Sequence, residues 1–154
     1  IVISISQRLG EDLLIATRAG DHLRRDILRL LRSALRYEEI NKGRPLEEQE
    51  ELTVLYQQAK RQRESIEGFR RGNRTEQAER EEAQLGIVRE YLPASLTREE
   101  VESLARQVIQ EVGAKGPTDR GRVMGTLMPK VRGRFEGAEV GVLVGELLEV
   151  LSQE

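Results

Sequence analysis

Apolar residues recur at steps of three and four along almost the whole chain, with polar residues between them. This spacing places apolar side chains on one face of a helix. The clearest stripe lies within residues 101–112, and Thr97 and Glu100 precede it as a capping box. A second stripe follows Asp21 and comprises Leu23, Ile27, Leu30, Leu31, Ala34, Leu35 and Ile40. No strand alternation is present, so the pattern predicts an all-α protein.

Glycine, proline and capping residues divide the pattern into helices. The predicted helices are residues 4 or 6 to 19, 21–43, 46–71, 75–92, 97–113, 118–128 and 137–151. The fourth must stop at the Leu92–Pro93 step, because the residue before proline avoids the helical region. Pro129 is predicted to interrupt the sixth. The seventh is apolar over much of its circumference, which predicts that it lies between other helices.

The region around Pro93 separates two kinds of sequence. Long charged helices precede it, and short, glycine-rich helices follow it. We therefore predict two helical lobes, an amino-terminal lobe of residues 1–92 and a small multihelical carboxy-terminal lobe of residues 93–154.

The composition narrows the function classes. Aliphatic side chains must do the packing, since aromatic residues make up 3% of the chain. The absence of cysteine removes disulfides, thiolate metal sites and cysteine nucleophiles, and it is compatible with a cytoplasmic protein. No apolar run reaches the length of a membrane span, and no secretory leader is recognisable. The net charge of −2 gives no global attraction for nucleic acid, so binding would need a local basic patch.

Candidate catalytic groups are few. His22 is the only histidine and follows a helix cap, where an imidazole is normally solvated. Glu38–Glu39 and Glu81–Glu82 are neighbouring acids, but adjacent residues diverge by about 100° on a helix. We therefore predict no catalytic residue, metal site or cofactor, and we find no sign of a small-molecule substrate.

One arginine lies within an apolar stripe of the third helix. Arg63 falls near its centre, and Glu81 interrupts the stripe of the fourth helix in the same way. A buried guanidinium needs a counter-charge, so we predict a structural ion pair between Arg63 and Glu81 across antiparallel helices. Two alternatives are that Arg63 faces a groove and binds an anion, or that the stripe ends early and leaves it exposed.

Residues 115–134, here called the basic segment, are the strongest candidate for a functional surface. Their only acid is Asp119, and their cations are Lys115, Arg120, Arg122, Lys130, Arg132 and Arg134. Four glycines within the segment keep the backbone accessible. This combination suits a polyanion bound through its phosphates, and the scarcity of aromatic residues favours recognition of a folded RNA by shape over base stacking. The alternative is a solvated cationic rim.

The sequence resembles the GatB/YqeY family over nearly its whole length. The matching positions are 31–35, 38–40, 60, 63, 65–66, 69, 74, 81, 91–93, 121–124, 127–131 and 133–134. The most specific are Tyr-Leu-Pro at 91–93, Gly-Arg-Val-Met at 121–124 and Met-Pro-Lys at 128–130. The chain departs from the family pattern at Phe135 and Glu136, where Ala and Asp are usual, and at Gln77 and Gln84.

The resemblance implies an all-α protein whose carboxy-terminal lobe is similar to the tail domain of the B subunit of aspartyl/glutamyl-tRNA amidotransferases. That tail helps to hold the tRNA, and similar modules are appended to some glutaminyl-tRNA synthetases. Carried over to this chain, the implied nucleic-acid contacts are Gly121, Arg122, Lys130, Arg132, Gly133 and Arg134.

Three functional hypotheses remain. The first is a non-catalytic accessory protein that binds tRNA, or a tRNA-modifying complex, through the carboxy-terminal lobe. The second is a protein-interaction module that docks on an amidotransferase, an aminoacyl-tRNA synthetase or another partner through an apolar groove between the lobes. The third is an enzyme linked to amide-nitrogen transfer with glutamine as donor, against which stand the missing nucleophile and the lone histidine.

Overall fold

The computed structural model describes residues 3–154, which form seven α-helices and one short 3-10 helix, Pro117–Asp119, with no strand in that range. The α-helices are α1 Ile5–Ala19, α2 His22–Lys42, α3 Glu48–Arg71, α4 Thr75–Arg89, α5 Arg98–Val112, α6 Arg120–Val131 and α7 Gly137–Ser152. The predicted all-α class is confirmed. None of the helices in the described residues combines the length and apolar content that a bilayer crossing requires.

Several helix ends lie where local chemistry predicts them. The Ser4 hydroxyl accepts from the N–H of Gln7 at the start of α1, and Asp21 caps α2 by accepting from the N–H of Arg24. Gly20 and Gly43 end these helices in the left-handed conformation, with φ of 69° and 70°. Such conformations favour glycine, so the sequence fixes these ends locally.

The chain divides into two compact units, an amino-terminal unit of Ile1–Pro93 and a carboxy-terminal unit of Ala94–Glu154. In the amino-terminal unit, α2 packs against α1, α3 and α4. Its most deeply buried side chains are Leu9, Ile27, Leu28, Leu31, Leu35, Leu55 and Val88. The predicted stripe of α2 is therefore too wide, since Leu30 and Ile40 are 44% and 71% exposed.

The end of α4 differs from the prediction. The helix ends at Arg89, and the N–H groups of Glu90, Tyr91 and Leu92 donate to carbonyls only three residues back. These tighter bonds end the α-helix before Pro93 is reached. The Tyr91 side chain is buried, with its hydroxyl bonded to Asp12. Burial and this carboxylate raise the pKa of Tyr91 above its ordinary value.

In the carboxy-terminal unit, α5, α6 and α7 pack against one another. Their fully buried residues are Val101, Ala105, Val108, Val123, Leu127, Val131, Val140, Val144 and Leu148. The predicted end of the sixth helix is wrong, because α6 includes Pro129 and continues to Val131. A proline in the last turn removes one helical hydrogen bond, and the turn still closes through the N–H of Arg132 and the carbonyl of Met128.

The seventh helix is predicted to lie between other helices, and α7 packs against α5, α6 and the 3-10 helix. α7 buries one face, and Val142 and Val150 on its other side are each 59% exposed.

Candidate nucleic-acid interface

The orientation of α6 is set by its apolar residues. Val123, Leu127 and Val131 are fully buried and lie on one face of the helix. At about 100° per residue, Gly121 and Gly125 lie on the opposite, exposed face, one turn apart. Apart from the two neighbouring residues and the backbone of α6 itself, no atom of the described residues lies within 4 Å of the Cβ that either glycine would carry. The fold of this unit therefore does not require glycine there, and we call this surface the glycine face.

Arg122 borders the glycine face and is held in place. Its guanidinium donates to Asp119 Oδ1 at 2.8 Å and to the carbonyl of Val112 at 3.0 Å, while the side chain stays 58% exposed. The second contact satisfies a carbonyl at the end of α5, which has no partner inside its own helix. Arg122 therefore stabilises the fold and also presents charge to solvent.

Asp119 organises this end of the basic segment. Its carboxylate accepts from the backbone N–H of Lys115 at 2.8 Å and from Arg122. These two hydrogen bonds hold the pKa of Asp119 below its usual value, and the one from the Lys115 backbone has the larger effect. Sequence reasoning treated Asp119 only as a charge against the patch, although its spacing of three from Arg122 is a signal for such a pair.

Lys130 lies in the last turn of α6, two turns beyond Arg122. Its Nζ is 3.8 Å from Glu111 Oε2, and both side chains are substantially exposed. Such a long, solvated contact contributes little to stability. Lys130 is therefore available to another anion.

The next three candidates form a tight turn. The N–H of Arg134 donates to the carbonyl of Val131 at 2.9 Å, with φ −57° and ψ 128° at Arg132 and φ 75° at Gly133. These are the angles of a type II turn, which requires a positive φ at its third position. Gly133 is thus explained by the turn. Arg132 is exposed, and its side chain forms no hydrogen bond or ion pair among the described residues.

Arg134 is committed to the fold. Its Nε donates to the carbonyl of Ala94 at 3.0 Å, and its own carbonyl accepts from the N–H of Leu96 at 2.8 Å. These bonds fasten the first residues of the carboxy-terminal unit to the turn. Arg120 is similarly used, because it donates to the carbonyl of Gly141 at 3.2 Å.

The carboxy-terminal unit is polarised along the sequence. It contains eight basic and ten acidic residues, and the basic segment holds six of the former and one of the latter. Three of these cations retain exposed, weakly used charge: Lys115, Lys130 and Arg132. This arrangement supplies hydrogen-bond donors for an extended anion.

The predicted ion pair between Arg63 and Glu81 is not formed. Glu81 accepts instead from Gln62 Nε2 at 3.4 Å, and Gln62 is 3% exposed while Arg63 is solvent-exposed. The prediction gave weight to Tyr56, which is only partly buried, and this shifted the inferred core direction towards Arg63. Arg63 borders a shallow groove of about 320 Å³, where Arg70 pairs with Glu82.

Other chemistry has little support in the described residues. No cluster of three or more acidic or histidine side chains within residues 3–154 is arranged to hold a metal ion. His22 is exposed at the start of α2.

The model of a family described as Yqey-like protein matches residues 6–148. No curated protein matches the chain.

Proposed function

The chain belongs to the family of Yqey-like proteins, and from that premise we propose that it is a non-catalytic accessory protein that binds tRNA through its carboxy-terminal unit. A cytoplasmic location is part of this proposal. The observation that carries it is the glycine face of α6, where Gly121 and Gly125 leave the backbone open beside Arg122.

Glycine inside a helix costs about 1 kcal/mol relative to alanine. Gly68, Gly86 and Gly145 are equally open, so a single such position is not distinctive. What distinguishes α6 is a pair of them one turn apart, next to exposed cations. A sugar-phosphate backbone can approach such a surface more closely than one covered by side chains.

The candidate residues have three different roles under this proposal. Arg132 and Lys130 contact phosphates, because their charges are exposed and little used within the protein. Arg122 contributes charge from a fixed position, whereas Arg134 and Gly133 keep the turn in shape. The six residues expected from the resemblance therefore contribute unequally.

Recognition would depend on backbone and shape. Phe135, the one aromatic residue beside the basic segment, is partly buried against the core of its unit. A base therefore has no exposed ring to stack on there, which favours a folded RNA over an extended single strand.

A titration of fluorescently labelled tRNA at several salt concentrations tests the proposal. We expect affinity to fall steeply with salt, and Arg132→Ala and Lys130→Ala each to reduce the slope of log K against log salt by about 1. Arg106→Ala is the matched control, since Arg106 pairs with Glu102 on α5, outside the segment. Absence of binding at low salt, or equal losses in the control, would contradict the proposal.

A second candidate function is docking on a partner protein, such as an amidotransferase or an aminoacyl-tRNA synthetase. The exposed Val142 and Val150 on α7 favour it. Co-purification with such a partner that survives nuclease treatment and is lost in Val142→Asp would support this function. Loss of the partner on nuclease treatment would contradict it.

A further inference from the structure

The amino-terminal unit contains a groove of about 830 Å³ between α1 and α2. Its volume lies within the range of small-ligand sites. Ser6 and Leu13 line it from α1, and the α2 side carries Arg29, Arg32, Ser33, Arg36, Glu39 and Ile40. We call it the arginine groove.

The three arginines lie on one face of α2. Their spacings of three and four residues bring their side chains next to one another, over about 10 Å of helix length. The Arg32 guanidinium lies over Gly10 of α1, since a Cβ at Gly10 would be 3.8 Å from Arg32 Cζ. The charges are therefore gathered along the groove.

These arginines lack the carboxylate partners that six other arginines of the unit have. Arg32 and Arg36 form no ion pair or hydrogen bond within residues 3–154. Arg29 interacts with Asp26 through long-range electrostatic attraction alone, since the Asp26 carboxylate forms its ion pairs with Arg25 and Arg80. Elsewhere in the unit, carboxylate pairs are formed by Arg24, Arg25, Arg44, Arg70, Arg71 and Arg80.

The protein's own acids do not neutralise the groove. Glu39 is the one carboxylate among the lining residues described, against three guanidinium groups. Buried Glu51 accepts from the N–H of Ser6 at 2.9 Å and adds a second carboxylate beside the groove, which leaves the three guanidinium groups in excess. Like charges three and four residues apart destabilise a helix, so α2 carries an unfavourable arrangement that a bound anion would relieve.

Apolar surface adjoins these charges. Ile40 lines the groove and is 71% exposed, and Tyr37, 68% exposed, lies one turn after Ser33 on α2. An exposed aromatic ring next to a set of cations can contact a planar ring attached to an anion.

We propose that the arginine groove binds a small ligand with two or more adjacent phosphate groups. Guanidinium groups bind phosphate oxygens in pairs of parallel hydrogen bonds, and three of them match the several charges of an oligophosphate chain. The chain can belong to a nucleoside di- or triphosphate or to a free polyphosphate. This site lies in the other unit from the proposed tRNA surface and does not depend on it.

Isothermal titration of the full chain with tripolyphosphate, at low salt and without divalent cations, tests the proposal. We expect saturable binding. The double variant Arg32→Gln with Arg36→Gln should weaken it by about tenfold for each guanidinium removed. Arg61→Gln with Arg74→Gln removes the same charge from exposed positions of the same unit. A separate pair, Lys130→Gln with Arg132→Gln, measures any binding at the basic segment. The control pair Arg61→Gln with Arg74→Gln should bind tripolyphosphate almost normally.

ATP in place of tripolyphosphate distinguishes the two sources. If ATP binds more tightly than tripolyphosphate, and Tyr37→Ala reduces its affinity to that of tripolyphosphate, the ligand is a nucleotide. If both bind equally, the groove recognises the phosphate chain alone. Either result supports an oligophosphate site. No binding of either probe, or equal weakening by the groove pair and the control pair, overturns it.

Discussion

The basic segment of the carboxy-terminal unit and the arginine groove of the amino-terminal unit differ in how their charges are used. In the basic segment, Arg122 and Arg134 hold the fold together through bonds to Val112, Asp119 and Ala94. In the groove, Arg32 and Arg36 form no hydrogen bond or ion pair with any residue from 3 to 154. The density of basic residues along a sequence is thus a poor measure of the charge that a folded protein offers to a ligand.

The largest expected effect comes from unfolding the carboxy-terminal unit while the amino-terminal unit stays folded. Leu127→Ala removes a fully buried side chain of α6 and should destabilise the carboxy-terminal unit by about 2–5 kcal/mol. Chemical denaturation followed by circular dichroism measures the loss. At a temperature that unfolds this unit in the variant, tRNA binding should disappear and tripolyphosphate binding should remain. Loss of both would show that the two regions are not independent.

The glycine face provides the next effect. Gly121→Ala with Gly125→Ala should stabilise α6 by about 1 kcal/mol at each position, because alanine favours the helix and finds open space there. Under the proposed function the same variant binds tRNA more weakly. Gly145→Ala is the control, since it also has open space but lies on α7. Unchanged tRNA binding would mean that no ligand approaches the backbone of α6.

A smaller effect concerns how the stability of the carboxy-terminal unit depends on pH. Folding lowers the pKa of Asp119, so the folded state is stabilised when this side chain is ionised. This stabilisation is present above the ordinary aspartate pKa of about 4, and it is lost as the pH falls through the lower pKa of the folded state. Thermal unfolding between about pH 6 and pH 2 should therefore depend less on pH in Asp119→Asn. Glu139→Gln, an exposed acid on α7, is the control. Identical profiles in all three proteins would contradict this role.

The smallest effect concerns the unliganded groove. Arg32→Gln with Arg36→Gln should stabilise the amino-terminal unit by about 0.3 kcal/mol for each repulsion removed. Arg44→Gln should have the opposite sign, because Arg44 bonds both oxygens of Glu50 at 2.7 and 3.0 Å. Urea denaturation measures both. Destabilisation by the groove pair would show that these arginines have a structural partner after all.

The parts of the fold that the sequence predicts are those decided by neighbours in the chain. The helix starts at Ser4, Asp21 and Thr97 follow from side chains that accept N–H groups three residues on. The ends at Gly20 and Gly43 follow from a left-handed residue that favours glycine. Each of these features needs only a few adjacent residues.

Contacts between distant residues explain where prediction failed. Gln62 takes the place expected for Arg63, because the packing of α3 against α4 decides which flank of the stripe is buried. The nucleic-acid contact of Arg134 stays a prediction, and no residue near it in the sequence indicates its hydrogen bond to the carbonyl of Ala94, forty residues away. The arginine groove was missed although its spacing is readable, since only the structure shows that no carboxylate reaches Arg32.

Pro129 has a chemical consequence for the surface of α6. Proline has no N–H, so the carbonyl of Gly125, four residues earlier, does not receive a helical hydrogen bond from that position. Under the proposed function, this carbonyl is a hydrogen-bond acceptor among groups that are otherwise donors. The 2′-hydroxyl of ribose can donate to such an oxygen, and deoxyribose cannot. Under the proposed function, a DNA of equal length and charge would bind less tightly than the RNA.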